Sequence, residues 1–291
     1  DSAKPFVDRT IKSGHGAMLE HGTIYLKINL PVVDIEDSVY LGNWLADFYY
    51  KNKYSKINYI NNILYITTNL RVIIENNRLE DLSYYLCEPT EYHEKRVAVK
   101  FICDRGVSHE LVRHRVFSFA QESTRFCNYS RDKFGNEITY VIPSWCDLEE
   151  GKYSWVGFNH EPINDYWCGW RKDSESLDTK EDSELGKTIV NRMKDYHWLL
   201  YSLESSEKSY FKLLDRAIKC RTNFLIRDKI TPQMARQVLP NALKTEINMC
   251  GFVSDWKHFF DLRDNKRAHP DIQQLAKPLH EEFIKRGYLS D

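Results

Sequence analysis

A chain of 291 residues with 41 basic against 42 acidic side chains is long enough for a sizeable core and shows no charge excess that would direct it to nucleic acid or a membrane surface. Its 18 Tyr, 14 Phe and 7 Trp exclude a disordered polymer. The seven cysteines (Cys87, Cys103, Cys127, Cys146, Cys168, Cys220, Cys250) form no C-x-x-C pair, and no apolar run nears the ~20 residues of a spanning helix; with no secretory leader read, the expectation is a soluble cytoplasmic protein with reduced thiols.

In chain order, Gly14 to His21 reads as a turn or short helix carrying His15, Glu20 and His21. Two histidines and a glutamate on one element are too few ligands, and no metal is expected. Thr23 to Ile28 alternates, with Ile24, Leu26 and Ile28 on one side, as in a half-buried strand. Residues 34–96 are mixed and carry no evident chemistry; Ile60 to Thr67 is strand-like, and Asn69 to Glu75 extends it or turns into a helix. Val97 to Cys103 predicts a strand with Val97, Val99, Phe101 and Cys103 on one face.

A helix starting within Asp104 to Ser108 would carry Glu110, Leu111, Arg113 and His114, with the arginines in its last turn, where cations suit the helix dipole. Phe117 to Asn128 reads as a loop. Asp147 to Glu184 is polar and reads as a surface insertion, followed by a long helix from about Glu184 to Cys220. Thr231-Pro232 is a helix start, and the short helix bearing Arg236 stops at Leu239-Pro240. Thr245 to Val253 alternates like a strand. Ser254 then caps a helix with Trp256, Phe259, Phe260 and Arg263 at i, i+3, i+4 and i+7, which leaves a charged head at the edge of a packed face.

The segment RHRVFSFAQESTRF, from Arg113 to Phe126, concentrates the chemistry. Arginine forks match phosphate oxygens two at a time. Three arginines and a histidine, interleaved with Ser118, Gln121 and Ser123, make a local phosphate-reading site in a chain of net charge -1. Ser123 is a binding group rather than a nucleophile, because no base-and-orienter pair is evident to activate it.

Arg-His-Arg, seven residues, then Ser123 resembles the signature of flavin-dependent thymidylate synthases. Further blocks resemble the same family: His15 to Lys27, Phe101 to Ser130, Thr139 to Pro143, and Met234 to Ala276 with Ala235-Arg236, Val238-Leu239-Pro240, Leu262-Arg263 and Ile272-Gln273-Gln274. The resemblance implies an α+β fold with a central, mostly antiparallel sheet flanked by helices. It implies one catalytic domain over 1–291 with insertions at 31–96 and 147–188, and a homotetramer with shared active sites. It also implies conversion of dUMP to dTMP, with methylenetetrahydrofolate giving the carbon, FAD carrying the hydride and NADPH as reductant.

Carried over residue by residue, the resemblance assigns dUMP to Glu110, Arg113, Gln121, Glu122, Ser123, Thr124, Arg125, Arg236 and Arg263. It assigns FAD to His15, Glu20, Arg113, His114, Arg115, Gln121 and His258. Arg263 takes the catalytic role, a fixed cation lowering the energy of negative charge on the uracil ring. The departures fall mainly on the flavin side. Gln121 stands where Glu is common, Ala120 where Asn is frequent, and His258 replaces an Asn. Phe252 and Ser254 replace Asn and Arg, and Ala17 replaces a hydroxyl residue. Two other readings stay open: a related flavoenzyme making another 5-substituted pyrimidine nucleotide, such as a hydroxymethyl product, and a non-catalytic nucleotide- or RNA-binding protein.

Overall fold

The computed structural model describes residues 3–30, 47–131, 135–160, 165–172, 196–222 and 230–290, and only the backbone of 154–160, 165–172 and 216–222. The chain is α+β, and its described residues divide into two compact units: 1–103, 107–122 and 245–291 in the first, 104–106 and 123–244 in the second.

In the first unit, α1 (Ala3–Lys12) and α2 (Gly16–Leu19) precede β1 (Thr23–Asn29). β1 pairs antiparallel with β3 (Ile63–Asn69), which pairs antiparallel with β2 (Lys56–Ile60). The single strand expected over Ile60 to Thr67 is thus two strands. Asn61 and Asn62 take φ of +50° and +61°, the left-handed pair that a tight hairpin turn requires and that asparagine tolerates. Asn69 Oδ1 accepts from Val72 N–H at 3.0 Å and caps α3 (Leu70–Glu75), and α4 (Leu79–Tyr85) follows. Leu26, Ile28, Leu64, Ile66, Ile73 and Tyr49 form the core under this sheet.

The second sheet of this unit has the order β4-β8-β5, from β4 (Arg96–Asp104), β8 (Lys244–Phe252) and β5 (Ser118–Gln121). β4 buries Phe101 and Cys103 and half-buries Val97 and Val99, the face its alternation predicts. α5 (Arg105–Leu111) links β4 to the segment before β5. Instead of a loop over Phe117 to Asn128, Ser118 to Gln121 pair antiparallel with Ile247 to Cys250. Among the described residues, the strands of this unit thus fall into two three-stranded sheets flanked by helices, not one central sheet.

α8 (Val253–Arg263) buries Trp256, Phe259 and Phe260 against α9 (Pro270–Lys285), which contributes Ile272, Ala276 and Phe283. Each of the large buried side chains in this set contributes about 2 kcal/mol, and Ala276 less. Ser254 is not the cap. The helix begins at Val253, and the Asp255 carboxylate accepts from Phe252 N–H at 3.2 Å.

The second unit holds the antiparallel hairpin of β6 (Tyr153–His160) and β7 (Asp165–Lys172), α6 (His197–Thr222), and α7 (Pro232–Ala235) with a 3-10 turn over Arg236–Val238. Tyr129, Ile138, Tyr210, Leu214, Ala235 and Leu243 form its core. Thr231 sits at the cap position of α7 with Pro232 in the first turn, and its hydroxyl makes no cap bond. The expected start of the long helix at Glu184, the part of the insertion at 31–96 over 31–46, and that of 147–188 over 161–164 and 173–188 lie outside the described residues.

Candidate functional site

In the first unit the signature segment runs from α5 into β5. α5 stops at Leu111, so Arg113, His114 and Arg115 lie just beyond its last turn rather than in it. His114 N–H donates to Leu111 O at 3.1 Å, and Phe117 N–H donates to His114 O at 3.0 Å. These turns deliver Ser118 to its place opposite Cys250 in the sheet, and a continuing helix could not. Arg113 and Arg115 are exposed, while His114 is partly buried between them.

The His114 ring stands edge-on to Phe259 at 5.1 Å and to Phe117 at 6.3 Å. Burial, with the charges of Arg263 and His258 added, pushes its pKa down to about 4, so the imidazole is neutral near pH 7. Its Nε2 accepts from Arg263 Nε–H at 3.0 Å, which leaves the ring proton on Nδ1.

Arg263 ends α8. Its Nη1 donates to Glu110 Oε2 at 2.7 Å, and its Nη2 to the Glu110 carbonyl at 3.4 Å. The two side chains are 18% and 32% exposed, so the pair is less screened than a surface salt bridge. The stripe on α8 thus ends in a guanidinium held by Glu110 and His114.

Gln121 Nε2 donates to Ser108 Oγ at 2.9 Å and to Thr245 Oγ1 at 3.3 Å, both fully buried hydroxyls. Glu122 N–H continues the strand pairing to Glu246 O at 2.8 Å. Of the predicted flavin-side residues, His15 and His258 are exposed. Glu20 accepts from Arg71 at 2.6 Å, and Arg71 also holds Glu75 at 2.8 Å.

Sequence reading missed Arg96. Its guanidinium donates to the Glu20 carbonyl at 3.0 Å, the Thr23 hydroxyl at 3.2 Å and the Ser118 hydroxyl at 3.2 Å. It ties the turn after α2 to the start of β5. A single arginine heading a strand carries no motif by which to find it.

In the second unit, Arg236 Nη1 donates to the Thr124 hydroxyl at 2.8 Å; Thr124 is buried and Arg236 half-buried. The Ser123 carbonyl accepts from Phe126 N–H at 3.0 Å and Cys127 N–H at 3.1 Å, a turn that leaves Arg125 and Phe126 exposed. The Arg125 guanidinium lies 5.6 Å from the Phe126 ring centroid. Among the described residues, Arg113, Arg115 and Arg125 have no carboxylate partner, so each unit keeps cations open to an anion. A cavity of roughly 760 Å3 in the second unit, lined by Tyr140, Leu203, Glu207 and Phe211 among others, includes none of the predicted site residues.

Residues 89–286 match the family described as thymidylate synthase complementing protein. A flavin-dependent thymidylate synthase of Corynebacterium glutamicum is 27% identical over 172 residues, covering 59% of this chain and 50% of its own. One from Pyrococcus abyssi is 27% identical over 187 residues, covering 64% and 53%. The chain thus spans about half the length of the relatives it matches. The crystal structure of a UMP/dUMP methylase PolB from Streptomyces cacaoi bound with 5-Br dUMP is 19% identical with a TM-score of 0.38, over 65% of this chain and 66% of that one, a likeness too distant to carry residue roles.

Proposed function

The chain belongs to the thymidylate synthase complementing protein family, and from that premise we propose that it is a flavin-dependent thymidylate synthase converting dUMP to dTMP. Methylenetetrahydrofolate is the carbon donor, and FAD, re-reduced by NADPH, would when bound supply the hydride that takes the transferred methylene carbon to a methyl group. The protein acts in the cytoplasm as a homotetramer with shared active sites, and residues 1–291 form one catalytic domain with insertions at 31–96 and 147–188.

The observation that carries this reading is Arg263. Within the span that matches the family, a partly buried guanidinium, its side chain 18% exposed, is fixed by Glu110 and His114. A cation so placed lowers the energy of a uracil N3 anion and makes carbon 5 a better nucleophile toward the methylene group. Arg236, steadied by Thr124, and the exposed Arg125 supply phosphate-binding donors of the bidentate kind. Ser123, Glu122 and Gln121 complete the dUMP contacts. Arg113 and Arg115, exposed and without carboxylate partners among the described residues, fit the phosphates of FAD. His15 and His258 are exposed groups suited to contacts with the same cofactor.

The test is to load the protein with FAD, reduce it without oxygen, and add dUMP and methylenetetrahydrofolate. Formation of dTMP with return of the oxidised flavin spectrum supports the reading. A hydroxymethyl nucleotide would instead establish the related flavoenzyme. Failure to take up FAD, with nucleotide or RNA still bound, would establish the non-catalytic alternative.

A further inference from the structure

We infer that Glu110 and His114 are positioning residues that set the direction of the Arg263 guanidinium, an inference that rests on reading Arg263 as the cation beside the uracil ring. Arginine has five N–H donors in one plane. Three are taken: Nε–H by His114 Nε2 at 3.0 Å, one on Nη1 by Glu110 Oε2 at 2.7 Å, and one on Nη2 by the Glu110 carbonyl at 3.4 Å. Among the described residues nothing takes the remaining two. Anchors at both Nε and Nη1 stop the plane from turning about its last bond. The two remaining donors, one on Nη1 and one on Nη2, are therefore held in a fixed plane from which they can reach acceptors of a flat anionic ring.

The chemistry of the two anchors differs in a way that suits this role. A carboxylate at Glu110 gives the short, strong bond. A second carboxylate in place of His114 would cancel the cation, and an imidazolium would repel it. A neutral imidazole fixes Nε with no added charge. The anchors also sit on a firm base. Leu111, between them, is fully buried, and the His114 ring is braced edge-on by Phe259 and Phe117. A ligand-facing group held this way from behind stays within the small tolerance that positioning requires.

The test is a pair of mutational cycles on the FAD-loaded enzyme, reading kcat and the dUMP dissociation constant separately. Glu110→Ala should lower kcat about 100-fold and weaken dUMP by a smaller factor, as for a misdirected group whose contact is strongest in the transition state. In an Arg263→Ala background the same change should cost nothing further, because Glu110 acts through Arg263. His114→Ala should behave alike. Glu110→Gln and His114→Gln, which keep an acceptor in place, should recover part of the loss and serve if the alanine variants do not fold. Losses that multiply in the double variants overturn the inference. Nitrogen-resolved NMR of the holoenzyme reads the clamp without turnover. His114 should be the Nδ1–H tautomer, and Arg263 Nε–H should lose its exchange protection in His114→Ala; a proton on Nε2 of His114 overturns the clamp. A wild-type protein that makes no dTMP would defeat the functional reading instead, so the two failures are distinct.

Discussion

Arg263 and Glu110 are 153 positions apart in the chain and 2.7 Å apart in space. The helix that ends in Arg263 is fixed by its aromatic stripe, so the depth of Trp256, Phe259 and Phe260 in the core decides where the guanidinium emerges. Lysine could not replace it. An ammonium is a single point of charge and cannot hold the Glu110 and His114 acceptors while presenting a flat pair of donors. Arg263→Lys should retain FAD and the fold but lower turnover by about 100-fold or more, the scale seen when one preorganised donor is removed from a developing anion. Anaerobic stopped-flow of flavin reoxidation checks this, and an undiminished rate would take Arg263 out of the chemistry.

Thr124 and Arg125 test the phosphate side in two ways. Arg125 is exposed and touches only the neighbouring Phe126 ring in the described structure, so Arg125→Ala should leave the melting temperature unchanged. It should still weaken dUMP at least about tenfold, the worth of a charge-assisted bidentate bond. Thr124→Val keeps the buried volume but removes the acceptor for Arg236 at 2.8 Å. It should cost about 1 kcal/mol of stability and weaken dUMP through a loosened Arg236. Isothermal titration with dUMP distinguishes the two, and equal affinity for both variants and the wild type would move the phosphate elsewhere.

What the sequence made legible, and what it did not, follows from how far each determinant reaches along the chain. The face of β4 and the stripe of α8 were readable because period-2 and period-3.6 burial are local patterns. The Asn61-Asn62 hairpin was hidden inside an apolar run, since asparagine in the left-handed region looks like any polar interruption. β5 was hidden for a different reason. Its four residues become a strand only by pairing with Ile247 to Cys250, more than a hundred residues later. The candidate site divides in the same way. The arginines of the signature could be named from their spacing, but the grip of Glu110 and His114 on Arg263 and the bridging role of Arg96 are tertiary contacts with no local trace.

Gly251 shows how closely the sheet approaches the signature. A Cβ at this position would lie 2.4 Å from Phe117 Cδ1 and 2.5 Å from Cε1. The Phe117 ring has little room to yield, because Trp256 meets it at 4.8 Å and Phe259 at 6.4 Å. Gly251→Ala should destabilise the fold by about 2 kcal/mol, as overpacking does. Phe117 follows the His114 turn directly, so the same variant should also lower turnover. A denaturation midpoint equal to that of the wild type would show that the ring can move aside.

His114 ties stability to pH. Its ordinary pKa of 6.5 applies in the unfolded chain, and in the fold burial and the neighbouring Arg263 lower it to about 4. Between these values the unfolded chain binds a proton that the folded chain does not, so acidification favours unfolding. The contribution is therefore complete above the unfolded value, lost as pH falls through the window, and constant again below the folded value. Its full size is at most about 3 kcal/mol, reduced by whatever solvent reaches the ring. His114→Gln keeps a neutral acceptor for Arg263 Nε–H but cannot titrate. Urea unfolding of both proteins across the window should show the wild type losing stability more steeply toward acid, with the curves running parallel above it. His21 and His93, also lowered by burial, contribute equally to both proteins and cancel in the comparison. Identical slopes throughout would mean that His114 takes up its proton as readily in the fold as in the unfolded chain. In that case it could not serve as the neutral anchor of Arg263 at the acidic end of the range.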